Sequence, residues 1–325
     1  MELNNGYVCI VSFGNIAKRH FNILRKYYPN LKIVIVSKNQ TKYKNAIIYE
    51  NIEKIKKLKI YLAIICSPAS LHISHANFFL KKNIPTFIEK PFSSNHKEVI
   101  NLLNKYKNKK IYLIIGYVFR FHSQAQKIKK LLEIKKIGAI NYVKVNNFSY
   151  LPEWRQKDYR KSVSAIKSLG GGVLNELSHE IDLLYWFFGR FNFVNCQLTH
   201  SNKLDIETED DCVFEFLKGK MRVFGHLNFS EKFHKERTIL ISGNNGLIYW
   251  DLNNSILKIK SEKFNKTYAS KENLYNEMYE YQIKFLMKNF LKSKRTTNKK
   301  NLRDVSELIH SCKISSEKNK SLRLR

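Results

Sequence analysis

The segment TFIEKPFSSN, residues 86–95, places a glutamate, a lysine and a proline directly after a short apolar run. A strand that only turns usually ends in Gly, Asn or Asp, which tolerate the backbone angles of a turn. Glu89, Lys90 and Pro91 instead predict two opposite charges at a strand end, followed by a residue that restricts the backbone. The Lys90 ammonium group can stabilise negative charge that develops on a substrate oxygen. A Lys–Glu pair at a strand end is also a common surface feature, so other motifs must decide between a site and a loop.

A histidine in the segment LGGGVLNELSHEIDLLYWFFG has the surroundings of a general acid or base. In one ideal helix from Val173, the side chains of Asn175, His179 and Asp182 lie on the same side. An imidazole between two polar side chains, on a helix anchored by its other face, can accept and donate a proton near neutral pH. In a different helical register, Glu176 would be the polar neighbour of His179. The alternative role for His179 is structural, as a hydrogen-bonded histidine at the surface or between domains. The opposite, apolar side contains Leu174, Leu177, Ile181, Leu184 and Phe188.

The first strand–helix junction, VCIVSFGNIAKRH, contains the pattern S-x-G-x-x-A at Ser12, Gly14 and Ala17. A dinucleotide-binding turn has G-x-G-x-x-G/A there, because backbone amides must approach a pyrophosphate at the helix N-terminus. Gly14, the position of closest approach, is present, whereas Ser12 replaces the first glycine of the tight turn. An ordinary helix start is the alternative, but the position at the first junction of the chain favours a nucleotide site. The predicted contacts in this turn are Ser12, Phe13, Gly14, Asn15 and Ile16.

The second strand, KIVIVSKNQ, ends where an NAD-preferring site has an acidic residue that binds the ribose hydroxyls. This chain has Ser37 and Lys38 there. A hydroxyl and an ammonium group can hold a 2′-phosphate instead, so NADP(H) is favoured and NAD(H) stays possible. The alternative is that Lys38 is one more surface lysine.

The third strand ends in ICSPASLH, which places Ser67 and Pro68 where open α/β sheets bind ligands. His72 either faces the same ligand or is a polar residue in the first turn of the next helix. The candidate nucleotide contacts at these strand ends are Ser67, Pro68, His72, Glu89 and Lys90.

Continuous apolar strands that alternate with helices predict a parallel sheet covered on both faces. After about residue 121 the strands follow one another, and two helices close the chain. The sequence thus predicts an α/β Rossmann domain with a doubly wound parallel sheet at residues 1–120. It predicts an α+β domain with a mostly antiparallel sheet at residues 121–325. The strands expected in the first domain are Tyr7–Phe13, Lys32–Val36, Ile60–Cys66, Thr86–Ile88 and Ile111–Ile115.

Four motifs follow one another along the chain as they do in the Gfo/Idh/MocA family, which the sequence therefore resembles. They are the S-x-G-x-x-A turn, CSPASLH, Glu-Lys-Pro and GGGVLNELSHEID. The family is the glucose–fructose oxidoreductase and inositol dehydrogenase type of NAD(P)-dependent enzyme. The resemblance covers nearly the whole chain, including GYVFRFH near residue 116 and the helix that begins LRDVSELI. It implies a Rossmann domain followed by a domain with a large open-faced sheet, and a substrate bound between them over the nicotinamide. It also implies a homodimer or homotetramer that pairs through the C-terminal sheet.

The resemblance also assigns roles to residues of this chain. Lys90 would bond the substrate hydroxyl and the nicotinamide ribose, Glu89 would position it, and Pro91 would follow a cis peptide bond, which is least costly before proline. His179 would act at the carbon that exchanges hydride, as base in oxidation and acid in reduction. Many relatives have Asp four residues earlier, and Asn175 can orient the imidazole but cannot accept its charge. The predicted catalytic residues are Lys90, His179, Asn175 and Asp182.

The segment LPEWRQKDYRKS combines flat apolar rings with guanidinium groups that bind anions. This mixture suits a sugar that carries a phosphate or carboxylate, and similar segments occur in family members associated with surface-sugar biosynthesis. A sugar or nucleotide-sugar substrate is therefore expected, and packing at a subunit interface is the alternative reading of the segment. The predicted substrate contacts are Arg120, Trp154, Arg155, Tyr159, Asn175 and His179.

The formal charge of the 325-residue chain is +31, but its lysines are spread along the sequence, which favours a generic solvated surface. Charge alone carries no base-reading element, so we expect no specific nucleic-acid partner. The five cysteines show no metal-binding spacing, and no apolar run is long enough to span a membrane. We therefore expect a cytoplasmic enzyme without a metal.

The combined prediction is an NAD(P)-dependent oxidoreductase acting on a secondary alcohol or carbonyl group of a sugar-like molecule. Two alternatives stay open. The first is a catalytically inactive, nucleotide-binding sensor of the same fold, which Ser12 and Asn175 keep in consideration. The second is a nucleic-acid binder driven by charge.

Overall fold

The chain divides into two compact units. The first contains Met1–Val118 and Tyr279–Arg303, and the second contains Phe119–Met278 and Asp304–Arg325. The predicted domains, 1–120 and 121–325, differ from these units mainly because Tyr279–Arg303 belongs with the N-terminal part. The computed structural model describes residues 6–38, 43, 45–154, 157–262, 264–270, 274–291 and 297–324.

A six-stranded, wholly parallel sheet forms the first unit. Its strands are β1 (Tyr7–Val11), β2 (Ile33–Val36), β3 (Ala46–Tyr49), β4 (Ile60–Ile65), β5 (Thr86–Ile88) and β6 (Leu113–Ile115). They lie in the order β3-β2-β1-β4-β5-β6. The helices between them are α1 (Asn15–Tyr27), α2 (His72–Leu80) and α3 (His96–Lys105). This strand order is that of a doubly wound nucleotide-binding sheet, so the predicted fold class of this part is confirmed.

The central strands are buried because they are almost entirely apolar. Every residue of β2 is buried, and so are the last four residues of β1 and of β4. In α1, Ala17, Phe21 and Leu24 recur at helical spacing and pack into the same core. Since parallel strands have the same direction, the carboxyl ends of β1, β2, β4 and β5 all lie at one edge of the sheet.

A nine-stranded, mostly antiparallel sheet forms the second unit. Its strands are β7 (Ile140–Phe148), β8 (Phe193–Thr199), β9 (Asp211–Lys218), β10 (Met221–Asn228), β11 (Glu236–Gly243), β12 (Gly246–Asp251), β13 (Ile256–Ser261), β14 (Phe264–Ala269) and β15 (Leu322–Arg323). Their order is β14-β13-β12-β11-β7-β10-β9-β8-β15. Only the β7–β10 pair among these is parallel, which confirms the prediction of a mostly antiparallel sheet.

The helices of the second half are α4 (Ser123–Glu133), α5 (Val173–Glu176), α6 (Ser178–Phe188), α7 (Leu274–Leu291) and α8 (Lys299–Glu317). The middle of α7 explains why Tyr279–Arg303 belongs to the first unit. Its residues Ile283, Leu286 and Met287 are buried in the same core as β1 and α1. Thr297 adds hydrogen bonds to the backbone of β6, where its hydroxyl accepts from Leu113 N at 2.7 Å.

No helix in the part of the chain that the structure describes is both long and apolar enough to cross a membrane.

Candidate active site

The turn between β1 and α1 has the geometry of a nucleotide-binding turn. Ser12 has a φ of 68°, in the left-handed region that the first glycine of the fingerprint usually occupies. Its backbone N–H donates to Val36 O at 2.8 Å, which ties the turn to the end of β2. Gly14 is the N-cap of α1, and a Cβ atom built on it would meet nothing within 4 Å. The first turn of α1 has no acidic residue and no side-chain cap, so its amides face no competing carboxylate.

The residues predicted at the end of β2 lie beside this turn. Ser37 follows the last strand residue directly, and its backbone N–H donates to Tyr49 O in β3 at 2.8 Å. Its side chain is half-buried, whereas Lys38 is exposed. Because β1 and β2 pair in parallel up to Val36, Ser37 and Ser12 leave the sheet at the same edge.

The end of β4 lies on the other side of the turn. Ser67 is buried, and its hydroxyl lies 3.0 Å from Nδ1 of His75 in α2. The backbone of the preceding residue is bonded to β1, from Cys66 N to Val11 O at 2.9 Å. Pro68 begins the short helical turn before α2. These residues therefore lie at the expected edge of the sheet.

His72 supports the backbone rather than facing a ligand. Its ring is 1% exposed, with Nδ1 2.8 Å from Pro91 O and Nε2 2.8 Å from Ser67 O. Burial lowers the pKa of His72, and the two carbonyl contacts oppose that shift. Because both ring nitrogens face backbone carbonyls, neither is left for a nucleotide. These contacts agree with the interpretation of His72 as a polar residue in the first turn of α2.

The Glu-Lys-Pro segment turns directly after β5. The peptide bond between Lys90 and Pro91 is cis, as the family resemblance implies. Glu89 is buried, and its Oε1 lies 2.6 Å from Nε2 of His20 in α1. Its Oε2 accepts the backbone N–H of Lys90 at 3.2 Å. Lys90 itself is half-buried, and its backbone follows β5 at the carboxyl edge of the sheet, the edge that carries the nucleotide turn.

In the second unit, the predicted single helix from Val173 is two helices. The break is at Leu177, whose φ and ψ are −96° and 24°. Before it, glycines bring the chain close to neighbouring backbone: a Cβ atom on Gly171 would lie 2.3 Å from Val163 O. Gly172 has a φ of 103°, which disfavours other residues. The break rotates Asn175 away from the position that one continuous helix would give it relative to His179.

His179 is the second residue of α6 and is nearly buried. The ring of Phe119 stands edge-to-face to its imidazole, with 4.9 Å between ring centroids. Phe119 also contacts the Tyr275 ring at 5.7 Å, and the Arg237 guanidinium lies over its face at 4.2 Å. The predicted base is thus placed among aromatic and cationic groups of its own unit.

The two polar partners predicted for His179 are engaged elsewhere. The Asn175 amide donates to the carbonyls of Gly170 and Gly171, both at 3.1 Å. Asp182 accepts two hydrogen bonds from Arg120, at 2.8 and 2.6 Å. Burial raises the pKa of Asp182, and the guanidinium opposes that rise. The interpretation of these two side chains as direct partners of the imidazole is not supported by these contacts. Arg120 likewise has its fork on Asp182 rather than open to a substrate.

A buried ion pair next to His179 was not predicted from the sequence. Glu180 Oε1 accepts from Arg237 Nε at 2.8 Å and from Asn147 Nδ2 at 2.9 Å. Arg237 also donates to the Tyr275 hydroxyl at 2.7 Å. Burial alone would lower the pKa of Arg237, but Glu180 and Tyr275 raise it above its usual value. The only sequence signal was Glu180 inside the SHEID motif, because Arg237 is in a distant strand.

The segment predicted to bind substrate is only partly described. Arg155 lies outside the described residues. Trp154 is half-buried, and its ring packs against Phe229 at 5.8 Å. The Tyr159 hydroxyl accepts the backbone N–H of Asp205 at 3.3 Å. The fork of Arg160 is bonded to Asp158, so it is not an open anion site.

Comparison with known proteins agrees with this architecture. Residues 7–117 match a family model described as an oxidoreductase family with an NAD-binding Rossmann fold. Residues 125–249 match the GFO/IDH/MocA C-terminal domain. The chain belongs to the Gfo/Idh/MocA family. The family resemblance inferred from the motifs is therefore confirmed, and with it the prediction of a nicotinamide-dependent oxidoreductase.

Two curated relatives have the same enzyme name. The 2,7-anhydro-N-acetylneuraminate hydratase of Escherichia coli (strain K12) is 24% identical over 266 residues, 77% of this chain and 68% of that protein. The enzyme of the same name from Mediterraneibacter gnavus is 22% identical over 194 residues, 58% of this chain and 50% of that protein. The match thus spans only half of the second relative.

Solved structures share the fold over nearly the whole chain. Levoglucosan dehydrogenase in complex with NADH and levoglucosan superposes with a TM-score of 0.85 at 17% identity, covering 98% of this chain and 99% of that one. An oxidoreductase from Agrobacterium radiobacter in complex with NAD+, L-tartaric acid and magnesium gives 0.81 at 14% identity, with 98% of each chain covered.

The first unit suits the nucleotide that the family binds. The open space at Gly14 allows a pyrophosphate to approach the backbone, and the uncapped start of α1 supplies amides for its oxygens. Among the residues that the structure describes, no cluster of His, Cys, Asp or Glu could hold a metal ion.

Proposed function

We propose that this protein oxidises or reduces a secondary alcohol or carbonyl group of a sugar or sugar derivative. The bound nicotinamide ring would supply or accept the hydride. The observation that carries the proposal is the position of Lys90, on a turn at the same sheet edge as the Ser12–Gly14 turn. An ammonium group there can bind the reacting oxygen and stabilise its negative charge.

His179 is proposed as the proton-transfer group. Its imidazole can take the hydroxyl proton during oxidation and return it during reduction. Phe119 packs edge-to-face on the ring and limits its rotation, while the Arg237–Glu180 pair beside it supplies a fixed field. Asn175 would contribute by holding α5 to the glycines before it, and Asp182 by holding α6 to Arg120, rather than by direct proton transfer.

A cyclic, anhydro-type sugar is the substrate class best supported by the comparisons. The names of both the hydratase relatives and the levoglucosan dehydrogenase refer to action on sugars or sugar acids. Trp154 and Tyr159 would supply flat faces for a sugar ring, and Arg155 an anion contact. A nucleotide sugar is the alternative substrate.

We propose NADP(H) as the preferred nucleotide, with NAD(H) as the alternative. Exposed Lys38 and half-buried Ser37 follow β2, and neither is an acid that would repel a 2′-phosphate. The NADH complexes of the structural neighbours support a nicotinamide nucleotide in general.

We also propose a homo-oligomer formed through the nine-stranded sheet. Phe193, Val213 and Phe224 are exposed on neighbouring strands, and the strand register places them on one face of the sheet. Such apolar groups are typical of a surface that a second copy covers.

The five cysteines are buried and unbridged, which supports a reducing, cytoplasmic location.

The competing function is a sensor that binds the nucleotide without turnover. The test is a panel of sugars, anhydro sugars and sugar acids with each nucleotide, followed by the absorbance of the reduced nicotinamide. The oxidoreductase proposal predicts substrate-dependent absorbance change. Saturable nucleotide binding with no change across the panel, and no label exchange between nucleotide and sugar, would favour the sensor.

A matched pair of variants assigns the activity to the site. Lys90→Met removes the proposed amine and is expected to lower kcat by about 100-fold or more. Lys97→Met changes an exposed lysine in α3, seven residues later, and should keep the activity of the wild type. Equal activity of the two variants would remove Lys90 from the reaction.

A further inference from the structure

The carboxylate of Glu89 connects a buried histidine to the backbone of Lys90. Glu89 is 7% exposed, and His20 is completely buried. Oε1 of Glu89 lies 2.6 Å from Nε2 of His20, and Oε2 accepts the Lys90 N–H at 3.2 Å. The contact chain therefore runs from the middle of α1 to the residue that carries the reactive amine.

A second buried histidine holds the other side of the same turn. His72, in α2, lies 2.8 Å from Pro91 O through Nδ1 and 2.8 Å from Ser67 O through Nε2. Carbonyl oxygens only accept, so the neutral ring donates to one of them and the protonated ring to both. In either form, the ring lies between the turn after β5 and the turn after β4.

The Glu89 carboxylate has close neighbours on the strands beside it. A Cβ atom on Gly116, at the end of β6, would lie 3.0 Å from Glu89 Oε2 and 2.9 Å from the Phe87 ring. The His20 ring also stands edge-to-face to Phe87, with 5.5 Å between centroids. The carboxylate is thus enclosed by α1, β5 and β6.

We propose that His20 and His72 are positioning residues that hold Lys90 from both sides, His20 through Glu89 and His72 through Pro91. Both rings are too deeply buried to touch substrate, so their effect on the reaction would pass through the Lys90 turn. Displacement of a reacting group by about 1 Å can lower a rate by roughly 100-fold, which makes such a restraint important for catalysis. The proposal rests on the proposed function in so far as Lys90 acts on the substrate.

The variants separate positioning from simple packing. His20→Leu and His72→Leu keep the volume and remove the hydrogen bonds. His20→Gln keeps an N–H donor near the position of Nε2, which faces Glu89. His72→Asn keeps one near the position of Nδ1, which faces Pro91 O, so both variants should retain most of the wild-type behaviour. Ile23→Ala, in the same core face of α1, loses packing without contact to the turn and serves as the stability control. Each variant is studied only where circular dichroism and thermal unfolding show it to be folded.

Two measurements are made on each folded variant. The first is hydrogen exchange at the Lys90 amide in the protein without ligand, followed by mass spectrometry of peptides that cover residues 86–95. The second is kcat, together with the dissociation constant of the nucleotide. We expect amide exchange to become about 10-fold faster in the Leu variants. We expect kcat to fall by about 10–100-fold in the Leu variants, with little change in nucleotide affinity, and His20→Gln and His72→Asn to stay close to the wild type.

Hydrogen exchange at the Lys90 amide and kcat can each contradict the proposal separately. Exchange at Lys90 that stays at the wild-type rate in folded His20→Leu and His72→Leu would overturn the positioning role. So would kcat values in these variants that match that of Ile23→Ala. Faster exchange at Lys90 in a protein whose wild type turns over no substrate would support the restraint on Lys90 and contradict the proposed function.

Discussion

The guanidinium of Arg120 donates two hydrogen bonds to the carboxylate of Asp182, from Nε at 2.8 Å and from Nη2 at 2.6 Å. Asp182 is 1% exposed and lies in α6, one turn after His179. Arg120 follows Phe119, whose ring packs against the His179 imidazole. The ion pair therefore fixes the helix that carries the histidine to the turn that carries its aromatic neighbour.

Arg120→Ala is expected to destabilise the protein by about 3 kcal/mol, because it leaves the Asp182 carboxylate buried without its partner. Urea unfolding measures the change in the free energy of unfolding. Arg160→Ala is the matched control, since Arg160 makes the same two-pronged contact with Asp158 on the surface, and it should change stability little. Equal stability of the two variants would contradict the structural role of the buried pair.

Ser12→Gly should stabilise the protein by roughly 0.5–1 kcal/mol. The φ of 68° at Ser12 is costly for a residue with a side chain, and glycine removes that cost while adding entropy to the unfolded chain. Ser12→Val should destabilise, because a β-branched residue is poorly tolerated there. Chemical denaturation of the three proteins gives the order. A glycine variant less stable than the serine protein would show that the Ser12 side chain contributes more than the turn geometry costs.

Protonation of His122 should lower the stability of the protein over a limited pH range. Burial, with a smaller effect from Arg237, lowers the pKa of His122 from 6.5 to about 4. Above pH 6.5 the residue is neutral in both the folded and the unfolded chain. As pH falls toward about 4, only the unfolded chain binds the proton, so stability is lost across this range. The expected loss from this residue is about 2–3 kcal/mol.

The contribution of His122 is measured as the difference between two pH profiles of unfolding free energy. His122 Nδ1 accepts the N–H of Gln124 and caps α4, so His122→Asn keeps a capping acceptor without the titration. The wild type should lose more stability than the Asn variant between pH 6.5 and about 4. Parallel profiles would show that another group controls the acid range.

Lys38→Ala should weaken NADPH binding by about 10-fold, because an ion pair to a 2′-phosphate is lost, and should leave NADH binding nearly unchanged. Fluorescence titration of the reduced nicotinamide gives both dissociation constants. Lys32→Ala, an exposed lysine just before β2, controls for the general positive charge of the protein. Stronger binding of NADH than of NADPH by the wild type would contradict the assignment of Lys38.

Most strands and helices were predictable because the spacing of apolar residues indicates which faces are buried. Continuous apolar runs predicted β1, β2, β4 and β5, and Thr86–Ile88 was predicted with its observed bounds. The missed strands are mainly edge or outer strands. Ala46–Tyr49 has no buried residue, and Phe264–Ala269 has only half-buried and exposed residues, so neither carries a buried apolar signal.

The sequence singled out candidate reacting residues but not the contacts that support them. Local motifs identified Lys90, the cis-proline turn and His179. A helical wheel cannot show the break at Leu177, so it did not predict the contacts that Asn175 and Asp182 make with Gly170 and Arg120. The Glu180–Arg237 pair and the His20–Glu89 contact join residues 57 and 69 positions apart, and no local pattern encodes such distances.

The most direct test of the account is transfer of deuterium from C4 of labelled reduced nicotinamide to a carbon of the sugar, followed by mass spectrometry. It detects hydride transfer even where oxidation and reduction of the sugar cancel and no net absorbance change remains. We predict label in the sugar with the wild type and with Lys97→Met, and about 100-fold less with Lys90→Met and with His179→Asn. Label transfer that is equal in all four proteins, or absent from the wild type across the whole sugar panel, would contradict the roles proposed for Lys90 and His179.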